Sequence, residues 1–197
     1  MKHSAWHLAD NPKLYEPARN NNFEFVVTGI DTLLKAGLDD AVAHSANSFI
    51  KNAQETIRLS VVSSSVPHFS LGKIEVKRGN DTIKFAGTPT FSDLPLVLND
   101  YMGAKTKDAL LAWQALAYNV RNGYINKATV YKKDCRLLEY SPDYQEVLRE
   151  WVIEGAWVQE VSEDPFSNEN EGKRTVNVTV VYDRAYPTDA NIVKEDE

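Results

Sequence analysis

The chain has 197 residues, 43% hydrophobic and 25% charged, which is enough for one domain with a sizeable core. Its net charge of −6 excludes tight sequence-unspecific nucleic-acid binding, because that requires a basic surface to displace counterions. The surplus is local: Glu160–Glu197 holds ten acids against four bases, whereas residues 1–159 hold eighteen of each.

Residues 1–22 are polar and broken by Pro12 and Pro17, which predicts an irregular arm. Phe23–Thr28 reads as a first strand closed by Gly29. Leu38, Val42, Ala46 and Phe49 recur at helical spacing, predicting a short inserted helix between Gly37 and Asn52. Over Gln54–Ser63 the period returns to two, with Ile57, Leu59 and Val61 facing one way, so a strand is expected before Val66-Pro67. Lys73–Lys77 and Thr82–Ala86 form a hairpin in which Ile74 and Val76 oppose Ile83 and Phe85 across Arg78-Gly79-Asn80-Asp81.

Between Thr88 and Gln114 the apolar period changes from two to about 3.6. Leu94, Leu96 and Leu98 alternate as on a strand, Asn99-Asp100 breaks it, and Thr106 opens an amphipathic helix carrying Leu110, Trp113 and Ala117. Asn122-Gly123 is its expected stop. Lys127–Tyr140 reads as one extended segment ended by Ser141-Pro142-Asp143, and Val147–Val158 as a long strand with Trp151 and Ile153 on one face. Arg174–Asp183 alternates throughout, with Val176, Val178, Val180 and Tyr182 opposite Thr175, Asn177 and Thr179.

The expected fold is α+β and mainly β: an antiparallel β-barrel or sandwich with one flanking helix and a short inserted helix. Residues 1–22 form the arm, 23–187 the β domain and 188–197 an acidic tail. The core anchors are Leu94, Leu96, Leu98, Trp113, Trp151 and Trp157. Several strands carry a second face of Thr, Ser, Asn, Arg and Glu, as in an antiparallel sheet wetted on one side or a strand lining a water-filled lumen. Cys135 is the sole cysteine, so an internal disulfide is impossible and a reducing compartment is expected. Met1–His7 lacks the apolar core of a signal peptide. No apolar run approaches the ~20 residues that span a bilayer, so no membrane binding is expected.

No motif carries catalysis. His3, His7, His44 and His68 are scattered without metal-ligand spacing, and Ser63-Ser64-Ser65 lacks the glycines of a nucleophile elbow. Glu150 and Glu154 on one strand face read as solvated rather than as a glycosidase pair. No enzyme activity, cofactor or metal is expected.

The order of pieces resembles the tail tube protein of contractile-tailed bacteriophages, a family related to type VI secretion tubes. Arg19-Asn20 leading into Phe23-Glu24-Phe25, Val66-Pro67, Thr90-Phe91-Ser92-Asp93 ending in Asn99-Asp100, and Trp113-Gln114 resemble that family's motifs. So do Tyr131-Lys132-Lys133, Gly155-Ala156-Trp157 and Val178-Thr179-Val180 with Tyr182-Asp183, in order over residues 18–187.

The resemblance implies hexameric rings that stack into a tube, each subunit giving four strands to a continuous barrel. At ~4.8 Å spacing and ~40° tilt, ~24 strands close at about 45–50 Å, leaving a lumen of about 35–40 Å for a duplex ~20 Å wide. It further implies Thr56, Ser60, Glu150, Glu154, Thr175, Asn177 and Thr179 as lumen-facing, forming a neutral-to-acidic wall that does not hold phosphates. Phe69, Leu71 and Lys73, with the arm, are the expected inter-ring contacts. Implied partners are other copies of the chain, a sheath outside, tape-measure protein and DNA inside, and baseplate and neck proteins at the ends. The expected location is a virion tail assembled in a bacterial cytoplasm. Two other readings stay open: the inner tube of a contractile injection or type VI machine carrying protein, and a monomeric β-barrel binding module.

Overall fold

The computed structural model describes residues 17–37, 52–166 and 171–188. The expected helix over Leu38–Asn52 falls almost wholly outside them, as do most of the arm and all but Thr188 of the acidic tail. In chain order the elements are β1 Phe23–Val27, α1 Ile30–Gly37, α2 Ala53–Ser60, β2 Val61–Ser64, β3 Phe69–Arg78, β4 Asp81–Phe91 and β5 Leu94–Asn99. Then follow α3 Thr106–Ala117, β6 Tyr118–Asn119, β7 Tyr124–Ile125, α4 Ala128–Tyr131, β8 Lys133–Tyr140, β9 Val147–Glu163, β10 Thr175–Val181 and β11 Arg184–Pro187.

One antiparallel sheet runs β1-β8-β9-β10-β5-β2, with β11 added beside β9. It curls so that its inner face is a single core. Phe25 and Val27 of β1, Leu137 of β8, Ile153 of β9, Val176, Val178 and Val180 of β10 and Leu94, Leu96 and Leu98 of β5 are all buried there. Helix α3 closes this core with Ala109, Leu110, Trp113 and Leu116, all buried, and the Trp113 indole donates to the Tyr131 carbonyl at 2.8 Å. Trp151 is half-buried at the core's margin, whereas Trp157, also half-buried, lies on the opposite side of its strand from Ala156 and Val158, edge-on to Tyr131 at 5.9 Å.

Three boundaries differ from the sequence reading. Gln54–Ser60 is helical: Ala53, Ile57 and Ser60 are buried at helical spacing while Leu59 is 61% exposed, so the apparent alternation of Ile57, Leu59 and Val61 mixed two faces. Helix α3 stops at Ala117, before Asn122-Gly123. Asn126 holds the last helical carbonyls, through its amide to Leu116 at 2.8 Å and its backbone N–H to Ala117 at 3.1 Å. Asn119 then caps a small turn in which Gly123 takes φ +71°. Lys127–Tyr140 is divided between the short helix α4 and β8.

Strand β9 is long because it serves two ladders. Its first part pairs with β8 on one side and β11 on the other, and its second part with β10. Between Cys135↔Ile153 and Lys133↔Ala156 it carries one extra residue, at Gly155 with φ +67°. This bulge reverses the inward parity: Trp151 and Ile153 point inward before it, Ala156 and Val158 after it. A Cβ at Gly155 would overlap the Asp183 carboxylate, which Lys132 holds at 2.7 Å through both oxygens. Gly79, in the hairpin turn, has the same φ but open space around it. Gly79→Ala is expected to cost only the left-handed backbone penalty of ~1 kcal/mol. Gly155→Ala adds a steric clash and is expected to cost about 2–4 kcal/mol; urea unfolding of the two variants measures the difference.

Candidate functional site

The described residues hold two kinds of surface that an assembly could use: wetted sheet faces and exposed apolar ones. Beyond the core face, the sheet's outer surface is divided by the Gly155 bulge into two regions. On the β8–β9–β11 region the charges are paired across strands. Arg136 meets Glu150 at 2.9 Å, while Arg149 and Glu139, 3.9 Å apart, pair on the core-face side beyond Leu137 and Trp151. Glu150 also accepts from the Thr188 hydroxyl at 3.2 Å, and Glu154 from the Tyr186 hydroxyl at 2.9 Å. That hydrogen bond, then the charge of Glu154, pushes the Tyr186 phenol above its ordinary range.

The β5–β10 region is different. Thr175, Asn177 and Thr179 stand half-buried opposite Asn99, Val97 and Pro95, with Ser162 and Glu160 on the adjoining part of β9. The residues proposed from sequence for a lumen are thus distributed over separate places. Glu150 and Glu154 lie on one outer region and Thr175, Asn177 and Thr179 on the other, while Thr56 is on α2. Ser60 is a correction: it is buried, its hydroxyl 2.8 Å from that of Thr106, and it ties α2 to α3 instead of meeting solvent.

The hairpin β3–β4 carries Phe69, Leu71 and Lys73, the residues expected from sequence as inter-ring contacts, and its apolar stripe beyond them was given no role. It pairs from Phe69↔Phe91 to Arg78↔Asp81, and almost every residue in it is exposed. Cross-strand pairs Ile74↔Phe85 and Val76↔Ile83 make one face apolar, at 45–55% exposure each. Lys73↔Ala86, Glu75↔Lys84 and Lys77↔Thr82 make the other face polar, with Lys73 and Glu75 paired at 2.9 Å. At its base Phe69 and Leu71 are exposed. Phe69 lies 5.5 Å from Phe91, which in turn lies 6.0 Å from Tyr182 of the body. Alternating apolar residues usually mark a face turned to the chain's own core, so nothing in the pattern alone announced their exposure.

Among the described residues no group of three or more His, Cys, Asp or Glu is placed to hold a metal ion, and no helix is long and apolar enough to cross a membrane. A cleft of about 550 Å³ lies where β1 and β2 approach without hydrogen-bonding, lined by Asn22, Phe23, Val62, Ser63, Leu137 and Tyr140.

No protein-family model and no curated protein sequence matches the chain. Solved structures do. A chain of the PVC sheath-tube complex of an extracellular contractile injection system, in its extended state, aligns at a TM-score of 0.61. The identity is 14%, and the alignment covers 94% of this chain and 98% of that one. The chain has the tube fold of contractile injection systems. The anti-feeding prophage tube terminating cap aligns at TM-score 0.59, with 14% identity over 87% of this chain and 90% of that one. A chain of the PVC sheath/tube terminator aligns at 0.59, also with 14% identity, over 87% and 96%. This fold is mainly β and antiparallel, as the sequence reading expected.

Burial, and secondarily the charge of Asp134, pushes the Cys135 thiol up, so the folded protein holds it as a neutral thiol. Cys135 is expected to resist a thiol reagent in buffer and to react fully in denaturant. For Tyr186, the phenolate is expected to form at lower pH in Glu154→Gln than in the parent protein. The difference spectrum against Tyr186→Phe isolates this tyrosine.

Proposed function

We propose that the chain is a tube subunit of a contractile tail-like machine, in which hexameric rings stack into a conduit. The observation that carries this reading is the hairpin. A body with a closed core of its own projects a ten-residue strand and its partner, whose apolar face is left exposed among the described residues. Such a stripe marks a protein contact, and a second copy supplies it in every subunit of a ring. Phe69, Leu71 and Lys73 at the hairpin's base, together with Ile74, Val76, Ile83 and Phe85, are the proposed contacts between subunits.

β2 leads into β3, and β4 leads into β5, so the hairpin continues the β2–β5–β10 part of the sheet. That part is therefore the one proposed to line the lumen, through Thr175, Asn177 and Thr179. Those hydroxyls and the amide hold no phosphate chain, while the polar face of the hairpin adds Lys73, Lys77 and Lys84, of which Lys73 is paired with Glu75 and Lys84 stands opposite it. Glu150 and Glu154 would then lie on the outward side. A sheath outside and end proteins above and below complete the reading. For a phage tail the cargo is DNA and tape-measure protein, the location the virion, and the place of assembly the bacterial cytoplasm. The likeness to extracellular contractile injection systems favours a second reading of the same architecture, with protein as cargo.

Negative-stain microscopy of the purified protein tests the proposal: rings or tubes of uniform width are expected, and a monomer at every concentration overturns it. Replacing Ile74 and Phe85 together with Ser is expected to abolish the rings. Because both are about half exposed, the monomer should stay folded with its stability lowered by only about 1.5–3 kcal/mol, read by urea unfolding.

A further inference from the structure

The hairpin is a projecting surface, and a ring or tube is built from head-to-tail contacts, in which two different patches of one chain meet. The molecule must then carry an apolar receptor away from the hairpin. The described surface has one of suitable chemistry. A cleft of about 380 Å³ opens between the C-terminal half of α3, the turn that follows it and the second part of β9; it is lined by Leu111, Ala115, Tyr118, Val120, Trp157 and Val158. Around it Val120 is 82% exposed, Ile125 78% and Tyr124 71%, and Tyr118 pairs with Ile125 across the small β6–β7 ladder. These are large apolar side chains on a short turn whose own packing leaves them in water.

We infer that this cleft receives the apolar face of the β3–β4 hairpin from a second copy of the chain, an inference that rests on the tube reading above. Net charge favours the pairing as well. The hairpin from Lys73 to Lys84 carries four bases and two acids, a basic projection on an acidic protein. Beside the cleft, β9 passes from Gln159 into exposed Glu160. With Phe85 and Ile83 over Trp157 and Val120, the hairpin's lysines lie on its opposite face and act through the hairpin's net charge rather than by direct ion pairs. The cleft between β1 and β2 is the rival receptor. Its lining mixes Phe23, Val62, Val66, Leu137 and Leu148 with the charged Arg19 and Glu139 and two asparagines, whereas the cleft beside α3 is lined by no charged residue.

Because Cys135 is buried, introduced cysteines report alone. A chain carrying Phe85→Cys and Val120→Cys, treated with a short bismaleimide, is expected to give a ladder of covalent multimers. Each single variant is expected to give no ladder. Raising salt from low to molar concentration should weaken the ladder at limiting protein. Rings visible by negative stain without a Phe85→Cys to Val120→Cys link overturn this inference and leave the tube reading standing. So does a ladder from Phe85→Cys with Ser63→Cys in place of Val120→Cys. A protein that stays monomeric without rings overturns both.

Discussion

The architecture depends on one backbone irregularity, the bulge at Gly155. A seventeen-residue strand cannot keep one side on the core of a curled sheet over its whole length, because strand twist and curl carry its ends onto different walls. The extra residue resets the parity, so that Ile153 before it and Val158 after it both reach the core. Asp183 occupies the space a side chain would need and is fixed there by Lys132, while the Gly155 N–H is taken by Asp134 at 3.2 Å. The corner is thus set by steric exclusion and a few polar contacts. From it follow the two outer regions of different chemistry and the place of β11 beside β9.

Much of this was legible where local pattern and tertiary environment agree. Leu94, Leu96 and Leu98 alternate in sequence and are buried together in the structure; Trp113 sits on the helix that the change of period announced. The hairpin turn was marked by Gly79 and its neighbours, and the pairs Ile74↔Phe85 and Val76↔Ile83 follow from counting outward from it. Reading failed where two periods fit equally well. Over Gln54–Val61 the residues satisfy both an alternation and a helix, and only the burial of Ala53 and the Ser60–Thr106 hydrogen bond decides between them. The same ambiguity sent Ser60 to the wrong environment. At Gly155 a signal was present, since a glycine inside a strand pattern suggests a bulge. Its consequence, the reversal of parity, becomes visible only once the partners on both sides are known.

A third class of difficulty is physical rather than statistical. Hydrophobic alternation states that a face leaves water, and it is silent about whose atoms cover it. Ile74, Val76, Ile83 and Phe85 carry the same pattern as Val176, Val178 and Val180, yet the first set is exposed and the second is fully buried. The difference lies in length and position. β10 is flanked by β9 and β5, whereas the hairpin pairs only with itself among the described strands.

This arrangement would let a subunit be stable alone and still associate in the proposed ring. Fully burying a large apolar side chain is worth ~1.5–3 kcal/mol, so side chains already half covered retain about half of that for a partner. Four of them give a few kcal/mol per contact before the cost of association, too little to hold a pair firmly in dilute solution. In a closed ring every subunit makes such a contact twice, once as donor and once as receptor, and the last subunit gains two contacts for one loss of freedom. Weak single contacts and strong closure favour complete rings over partial ones. They also let free subunits remain apart until something holds the first few together.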